Sequence, residues 1–398
     1  MIYLDNNATT VMAVEVNLAM QEFANLPLNS AVIHKYGQKA QMQSHKSKLA
    51  IGNLLNASQY QIIFTSGATE ANNIIISGVV KAFNIKKIFC ATIEHDAVYK
   101  TAHNITNNGK EPVAVEDIIV DSNGIIDTNY LINQIESFVE SETAIGNKKP
   151  SFLVLAMLVN NETGAIQPIK EIAKITHQYG GIIHSDIVQA IGKIPVDLEM
   201  LNVDFASISA HKFYGPQGIG AIISRKGLDF EPLFFGGGQE NFKRPGTQNQ
   251  LAIIGFGVAV DCAKDSLAKM PSILNLRNYF EQELANIIHP SELQIFSQDV
   301  ARVNNTSYLA IANFNSQNLV IACDLVNIAI SSGAACSSGS VANSRILKAM
   351  KVTDKFINSA IRISLSYQNT KEDLQALLKE LATIINRKSY QSKLLRND

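Results

Sequence analysis

Phe205 to Pro216 (Phe-Ala-Ser-Ile-Ser-Ala-His-Lys-Phe-Tyr-Gly-Pro) runs from an apolar, strand-like stretch into His211-Lys212, then into a Gly-Pro turn. A lysine just past a buried strand, beside hydroxyls and a histidine, has the setting of a Schiff-base nucleophile, because partial desolvation frees its amine. Taken alone, Lys212 reads first as a surface lysine at a strand end, since lysine is almost never fully buried. Other groups change that balance. Ser66-Gly67-Ala68-Thr69-Glu70 places small residues between a buried run and a helix, where open backbone N–H groups and the helix dipole favour an anion; the plainer reading is a capped helix. Asp186 and Gln189, Glu94-His95 and Asn160-Asn161 follow three further apolar runs. Cys336, among small and serine residues, reads as a thiol on a mobile loop, or as a cysteine in a linker, and as a nucleophile it would act through its thiolate. Arg362 lies in a strand-like stretch and suits bidentate binding of a carboxylate or an interdomain salt bridge.

A lysine for a Schiff base, an acid to keep a pyridine nitrogen protonated and a cup for a phosphate are what pyridoxal phosphate requires. His95 is placed to lie on the ring and move protons, or is simply structural. Asn161 and Gln189 suit the ring's phenolic oxygen.

Positioning these groups requires a particular scaffold. Gln61–Thr65, Lys87–Ala91, Phe152–Val159, Gly181–His184 and Phe205–Ser209 are continuous apolar runs alternating with helical segments. That pattern predicts a mainly parallel sheet covered on both faces, with ligands at the carboxyl ends of its strands. Phe152–Val159 reads as the longest strand. Val11–Phe23 and Lys48–Leu55 read as helices, Leu26–Ser44 as irregular and 140–150 as a polar surface loop. A helix from about Leu251 to Lys269 should cross to a second unit containing strands at Ser307–Ile311 and Ala360–Leu365.

At 398 residues the chain is long enough for two domains. A formal net charge of −1 gives no electrostatic case for nucleic acid or an anionic membrane as partner. No apolar run is long enough to span a bilayer, and Met1–Asp5 lacks signal-peptide character. Cys90, Cys262, Cys323 and Cys336 show no disulfide or zinc spacing. The expectation is a cytoplasmic protein without a resident metal.

With these motifs assembled, the chain resembles the cysteine desulfurases, class V aminotransferase-like enzymes of pyridoxal phosphate fold type I. The matching stretches are Tyr3–Thr10, Thr65–Glu70, Glu94-His95, Val159–Gly164, Asp186 with Gln189, Ser209–Pro216, Gly236–Glu240, Arg244–Thr247, Ser331–Ser338 and Ile361–Ser364. They keep family order over nearly the whole chain. The Ser-Ser-Gly-x-Ala-Cys form resembles the subgroup with a mobile cysteine loop.

The resemblance implies an α/β fold: a large domain (12–260) on a mainly parallel seven-stranded sheet, and a smaller α+β domain (1–11 and 261–398). It implies that Lys212 holds the cofactor and later takes the Cα proton of L-cysteine. Ala68, Thr69, Ser209 and His211 would hold the phosphate, joined by Thr247 from the other subunit of a homodimer. His95 would stack on the ring, Asp186 would pair with its nitrogen, and Asn161 and Gln189 would contact its phenolic oxygen. Arg362, with Asn161, would bind substrate. Cys336 would take the sulfur as a persulfide, releasing alanine, and pass it to an acceptor protein such as an iron–sulfur scaffold or a tRNA-thiolation carrier; a cluster on Cys336 would be transient. The alternatives are a selenocysteine lyase or another class V relative, and a non-catalytic scaffold that keeps only the fold. Two stretches depart from the family: Leu28–Gly37 lacks its usual glycine and proline, and Ser389–Asp398 is unlike the tail that docks the iron–sulfur scaffold.

Overall fold

A computed structural model of the chain describes residues 1–107, 111–147, 151–333 and 344–394. Seven strands form the main sheet among these residues: β1 (Tyr60–Thr65), β2 (Lys87–Ala91), β3 (Ala114–Ile118), β4 (Phe152–Leu155), β5 (Ile182–Asp186), β6 (Phe205–Ser209) and β7 (Gly220–Arg225). Their spatial order is β1-β7-β6-β5-β4-β2-β3. All neighbours are parallel except β7, which runs antiparallel to both β1 and β6. Nearly every residue of β4, β5 and β6 is buried, as expected for a sheet covered by helices on both faces. One core packs Phe64, Phe89, Phe152 and Ile183 beneath the long helix Gln250–Ile287, and another packs Ile63, Ile74, Leu153 and Ile222 beneath Ala68–Ala82.

A third core belongs to the C-terminal part. Three antiparallel strands, β8 (Leu293–Ile295), β9 (Thr306–Ile311) and β10 (Ala360–Ser364), form its sheet, with β9 in the middle. Leu4 packs here with Phe280, Leu309 and Leu377, and Ile2–Tyr3 pairs in parallel with Ile328–Ala329. The N-terminal residues therefore cross from this core to the carboxyl edge of the main sheet. The helix Gln250–Ile287 contributes Ile253 and Phe256 to one core and Ile273 and Phe280 to the other. No helix among the described residues is long and apolar enough to cross a membrane.

The structure corrects three sequence readings. Leu26–Ser44 is not irregular throughout, because one helix covers Lys35–Leu54. Its buried face is Gly37, Ala40, Ser44, Ser47 and Ile51, a stripe of small residues at helical spacing. Those residues permit a close crossing with Gln250–Ile287, where Ser47 Oγ donates to Ile253 O at 2.8 Å and a Cβ on Gly257 would lie 2.4 Å from Ser47 Oγ. An apolar-periodicity reading does not register such a stripe. The strand at Phe152 ends at Leu155, although Ala156–Val159 stay buried; Ala156 and Leu158 still donate to β5 carbonyls, while the Met157 N–H turns to the Glu94 carboxyl. The polar loop at 140–150 is helical as far as Ala144, at the end of Thr128–Ala144.

Candidate functional site

The carboxyl ends of β1, β2, β4, β5 and β6 meet the N-terminal segment at a cleft of about 590 Å³. Lining it are Ala68, Thr69, His95, Asn161, Asp186, Gln189, Ser209, His211, Lys212 and Arg362. Ten of the twelve residues singled out in the sequence are thus brought to one place. Thr247 is exposed and outside this cleft, and Cys336 lies outside the described residues.

One end of the cleft is a cup. The helix Ala68–Ala82 begins after Gly67 with no side-chain cap, so the N–H groups of its first turn face the cleft. A Cβ on Gly220 would stand 2.7 Å from Gly67 Cα, so glycine is what lets β7 approach this turn. Ser209 lies beside it. His211 is pushed down to about 4 by burial and by the Lys212 charge, so at neutral pH its ring is uncharged; Nδ1 lies 3.1 Å from Thr9 Oγ1. Glu70 sits behind the cup, paired with Arg244 at 2.8 Å.

Asp186 lies in the middle, 5% exposed. Its Oδ1 accepts from Val188 N–H at 3.0 Å and its Oδ2 from Asn72 Nδ2 at 2.9 Å. Asn72 is oriented in turn by the Ser207 hydroxyl, which donates to its Oδ1 at 2.6 Å. Two donors hold the carboxylate in place, the arrangement needed to face a protonated ring nitrogen. Asn72 is absent from the residues singled out in the sequence. Its burial on the inner face of the helix Ala68–Ala82 is seen only in the structure.

Lys212 Nζ donates to Asn7 O and Ala8 O, each at 2.7 Å. The N-terminal segment that receives it is tied back by Thr10 N–H and Thr10 Oγ1, which both donate to His211 O, and by Tyr214 N–H, which donates to Thr10 Oγ1 at 2.6 Å. The motif Asp5–Thr10 therefore supplies the carbonyls that hold the lysine amine, a role its side chains, suited to a turn, do not announce.

His95 caps the helix Asp96–Asn104, its Nδ1 accepting from Ala97 N–H at 3.1 Å. A neutral ring then carries its proton on Nε2, in a fixed orientation. Beneath it Glu94 is 1% exposed, and burial, followed by the charge of Asp186, pushes its carboxyl up to about 8. The folded protein keeps this proton up to about pH 8, whereas the unfolded chain releases it near the ordinary 4.5. The folded state binds more protons across that window, so stability falls as pH rises, by up to about 1.4 kcal/mol per pH unit from this group. Glu94→Gln should flatten the fall when urea unfolding of the cofactor-free protein is compared between about pH 5 and pH 8. An unchanged slope would contradict a neutral Glu94.

Arg362 is 3% exposed. Its two terminal nitrogens donate to Asp5 Oδ1 at 2.7 Å and to Asn161 O at 2.9 Å, while its buried Nε has no protein partner. Asp5 belongs with Arg362 to the C-terminal unit, so the ion pair lies within that unit and is not the interdomain bridge expected from the sequence, and the guanidinium also lines the cleft. Asn161 Oδ1 is also buried without a partner.

Both flanks of residues 334–343 are held at the rim. Ser331 exchanges backbone hydrogen bonds with Arg362 at 2.7 and 3.2 Å. Glu162 Oε2 accepts from Tyr308 on β9 and from Ser344 at 2.7 Å. Arg345 donates to the carbonyls of Thr92 and Glu94 and pairs with Asp96 at 3.2 Å, so the far flank is fixed beside His95. The three cysteines among the described residues are poor nucleophiles: burial pushes Cys90 well up, Cys323 up to about 12 and Cys262 up as well.

The aminotransferase class-V family model matches residues 2–377. The chain is similar to the cysteine desulfurase IscS of Dictyoglomus turgidum, 36% identical over 390 residues, covering 97% of this chain and 95% of that one. It is similar in structure to a NifS-like protein from Rickettsia africae, with a TM-score of 0.85, 34% identity and 97% and 99% of the two chains covered. SspA, solved in complex with cysteine, superposes with a TM-score of 0.75 at 27% identity, over 93% of this chain and all of that one. The chain belongs to the aminotransferase class-V family, in its pyridoxal phosphate-dependent cysteine desulfurase branch.

Proposed function

We propose that this protein converts L-cysteine to L-alanine with pyridoxal phosphate and passes the sulfur through a persulfide on Cys336 to an acceptor protein. The observation that carries the reading is the cleft itself, where an uncapped helix start, a carboxylate held by two donors and a lysine amine share one cavity. These residues fit the cofactor: the Gly67–Thr69 turn with Ser209 and neutral His211 would take the phosphate, Asp186 the ring nitrogen, Gln189 and Asn161 the phenolic oxygen. When bound, pyridoxal phosphate supplies an electron sink for charge developing at the substrate's Cα. Lys212 holds the cofactor and then takes the Cα proton, and His95, which lines the cleft, moves a proton at the substrate. The guanidinium of Arg362, whose Nε has no protein partner, binds the substrate carboxylate, helped by Asn161. Cys336 as thiolate attacks the substrate sulfur, and the C–S bond breaks with its electrons passing to the carbon skeleton that leaves as alanine.

The two parts of the chain act as domains, 12–260 holding the cofactor and 1–11 with 261–398 carrying Arg362 and Cys336; the two sheets and the packing of Leu4 in the C-terminal core support this division. The protein works as a cytoplasmic homodimer. Phe235 and Phe242, 90% and 71% exposed, flank the glycine-rich stretch beside exposed Thr247, and a second subunit covering this face would carry Thr247 into the neighbouring cleft. The names of the relatives favour iron–sulfur cluster assembly as the destination of the sulfur, with tRNA thiolation as the other route.

Purified protein loaded with pyridoxal phosphate and given L-cysteine and a thiol reductant should release alanine and sulfide in equal amounts. Alanine formed from selenocysteine but not from cysteine would replace this reading with a lyase. A protein that takes up no cofactor would leave only the non-catalytic scaffold.

A further inference from the structure

Lys193 follows β5 by seven residues and is buried at 6% exposure. Its Nζ donates to Asn7 Oδ1 at 2.8 Å and to Gln189 Oε1. It makes no ion pair with a carboxylate among the described residues, and the charges that bear on it are those of Lys212 and Arg362, both unfavourable. A buried amine with no counter-ion is costly and calls for a function.

The hydrogen-bond directions supply one. A lysine ammonium has three N–H donors and no acceptor, so the atoms it meets must be oxygens. That fixes two side-chain amides. Gln189 turns its oxygen to Lys193, so its NH2 group donates to Asn7 O at 2.9 Å with its second hydrogen left over. Asn7 turns its oxygen to Lys193 and Asn305, so its NH2 group donates to Thr306 Oγ1 at 2.9 Å. The Asn7 carbonyl that accepts from Gln189 is the same one that accepts from Lys212.

We propose that Lys193 is a positioning residue that orients the Gln189 amide so that its free N–H faces the phenolic oxygen of pyridoxal phosphate, and holds Asn7 in place as an acceptor for Lys212. This rests on the reading that the cleft holds that cofactor. Lys193 touches neither cofactor nor substrate; it acts through the two amides. Burial and the two neighbouring cations push its amine well below the ordinary lysine range.

The test is a titration of the full-length, cofactor-free protein with pyridoxal phosphate, read by the visible absorbance of the bound form. Lys193→Met should bind about tenfold more weakly, the size seen when a supporting group is removed, and the pH midpoint of the absorbance should move because a nearby amine is gone. In a Gln189→Leu background, adding Lys193→Met should cost clearly less than it does in the wild type, since only its hold on Asn7 remains to be lost. Gln189→Glu keeps the contact with Lys193 but presents no N–H to the cofactor, so it should bind as weakly as Gln189→Leu; this arm does not depend on how well Lys193→Met folds. Wild-type affinity in Gln189→Glu, or an undiminished effect of Lys193→Met in the Gln189→Leu background, overturns the inference. Wild-type protein that fails to bind pyridoxal phosphate would overturn it together with the function reading.

Discussion

Cys336→Ala is expected to lower alanine release from L-cysteine by at least about a thousandfold, the scale for losing an essential nucleophile, while the visible absorbance of bound pyridoxal phosphate is retained. The contacts proposed for the cofactor lie at the strand ends of the main sheet, and Cys336 follows Ser331 more than a hundred residues beyond them in the chain. No other cysteine among the described residues can take its place, because Cys90 and Cys323 are buried and Cys262 has its thiol pushed up by burial and by three nearby carboxylates. The two flanks of 334–343 meet the cleft, Ser331 beside Arg362 and Arg345 beside His95. Activity retained in Cys336→Ala would move the sulfur acceptor elsewhere and reduce the resemblance to one of fold alone.

Lys212→Ala should be equally severe and should differ in its signature. In the proposed roles, removing the amine takes away both the covalent hold on the cofactor and the base for the Cα proton, so turnover should fall by about 10³-fold or more. The visible band of the bound cofactor should disappear as well. The substitution also leaves Asn7 O and Ala8 O without their lysine donor. Gln189 still donates to Asn7 O, so the apo protein should remain folded. Circular dichroism and thermal unfolding of the cofactor-free variant check that point. A Lys212→Ala protein with a normal visible band would remove the lysine from the cofactor's attachment. The two variants together separate the two halves of the chemistry, since one loses sulfur transfer with its cofactor in place and the other loses the cofactor's covalent hold.

Most of the site is legible in the sequence because its groups sit at strand ends. A buried parallel strand is a continuous apolar run, so the first polar residues after it mark the carboxyl edge of the sheet, and His95, Asn161, Asp186 and Lys212 stand out in that way. Groups on helices and in the N-terminal segment escape the same reading. Asn72 is three residues beyond Thr69 on an apolar helix, and nothing in its spacing says that the inner face of that helix looks onto Asp186. Asn7 acts partly through its backbone carbonyl, which any residue could supply. Lys193 looks like an ordinary charged turn residue until its burial is known. The first half of the helix Lys35–Leu54 is hidden because close helix crossings select small side chains, and these carry little hydrophobic signal. Arg362 is readable as either an ion-pair partner or a carboxylate ligand, and its geometry serves both.

The most direct measurement is mass analysis of Cys336 itself. Protein loaded with pyridoxal phosphate is given L-cysteine without reductant, the thiols are capped, and the peptides carrying Cys90, Cys262, Cys323 and Cys336 are compared. The account predicts that the Cys336 peptide alone gains the mass of one sulfur atom, that thiol reductant removes it, and that it is absent in Lys212→Ala. Alanine produced with no added sulfur on Cys336, or with the sulfur on one of the other three cysteines, would contradict the account.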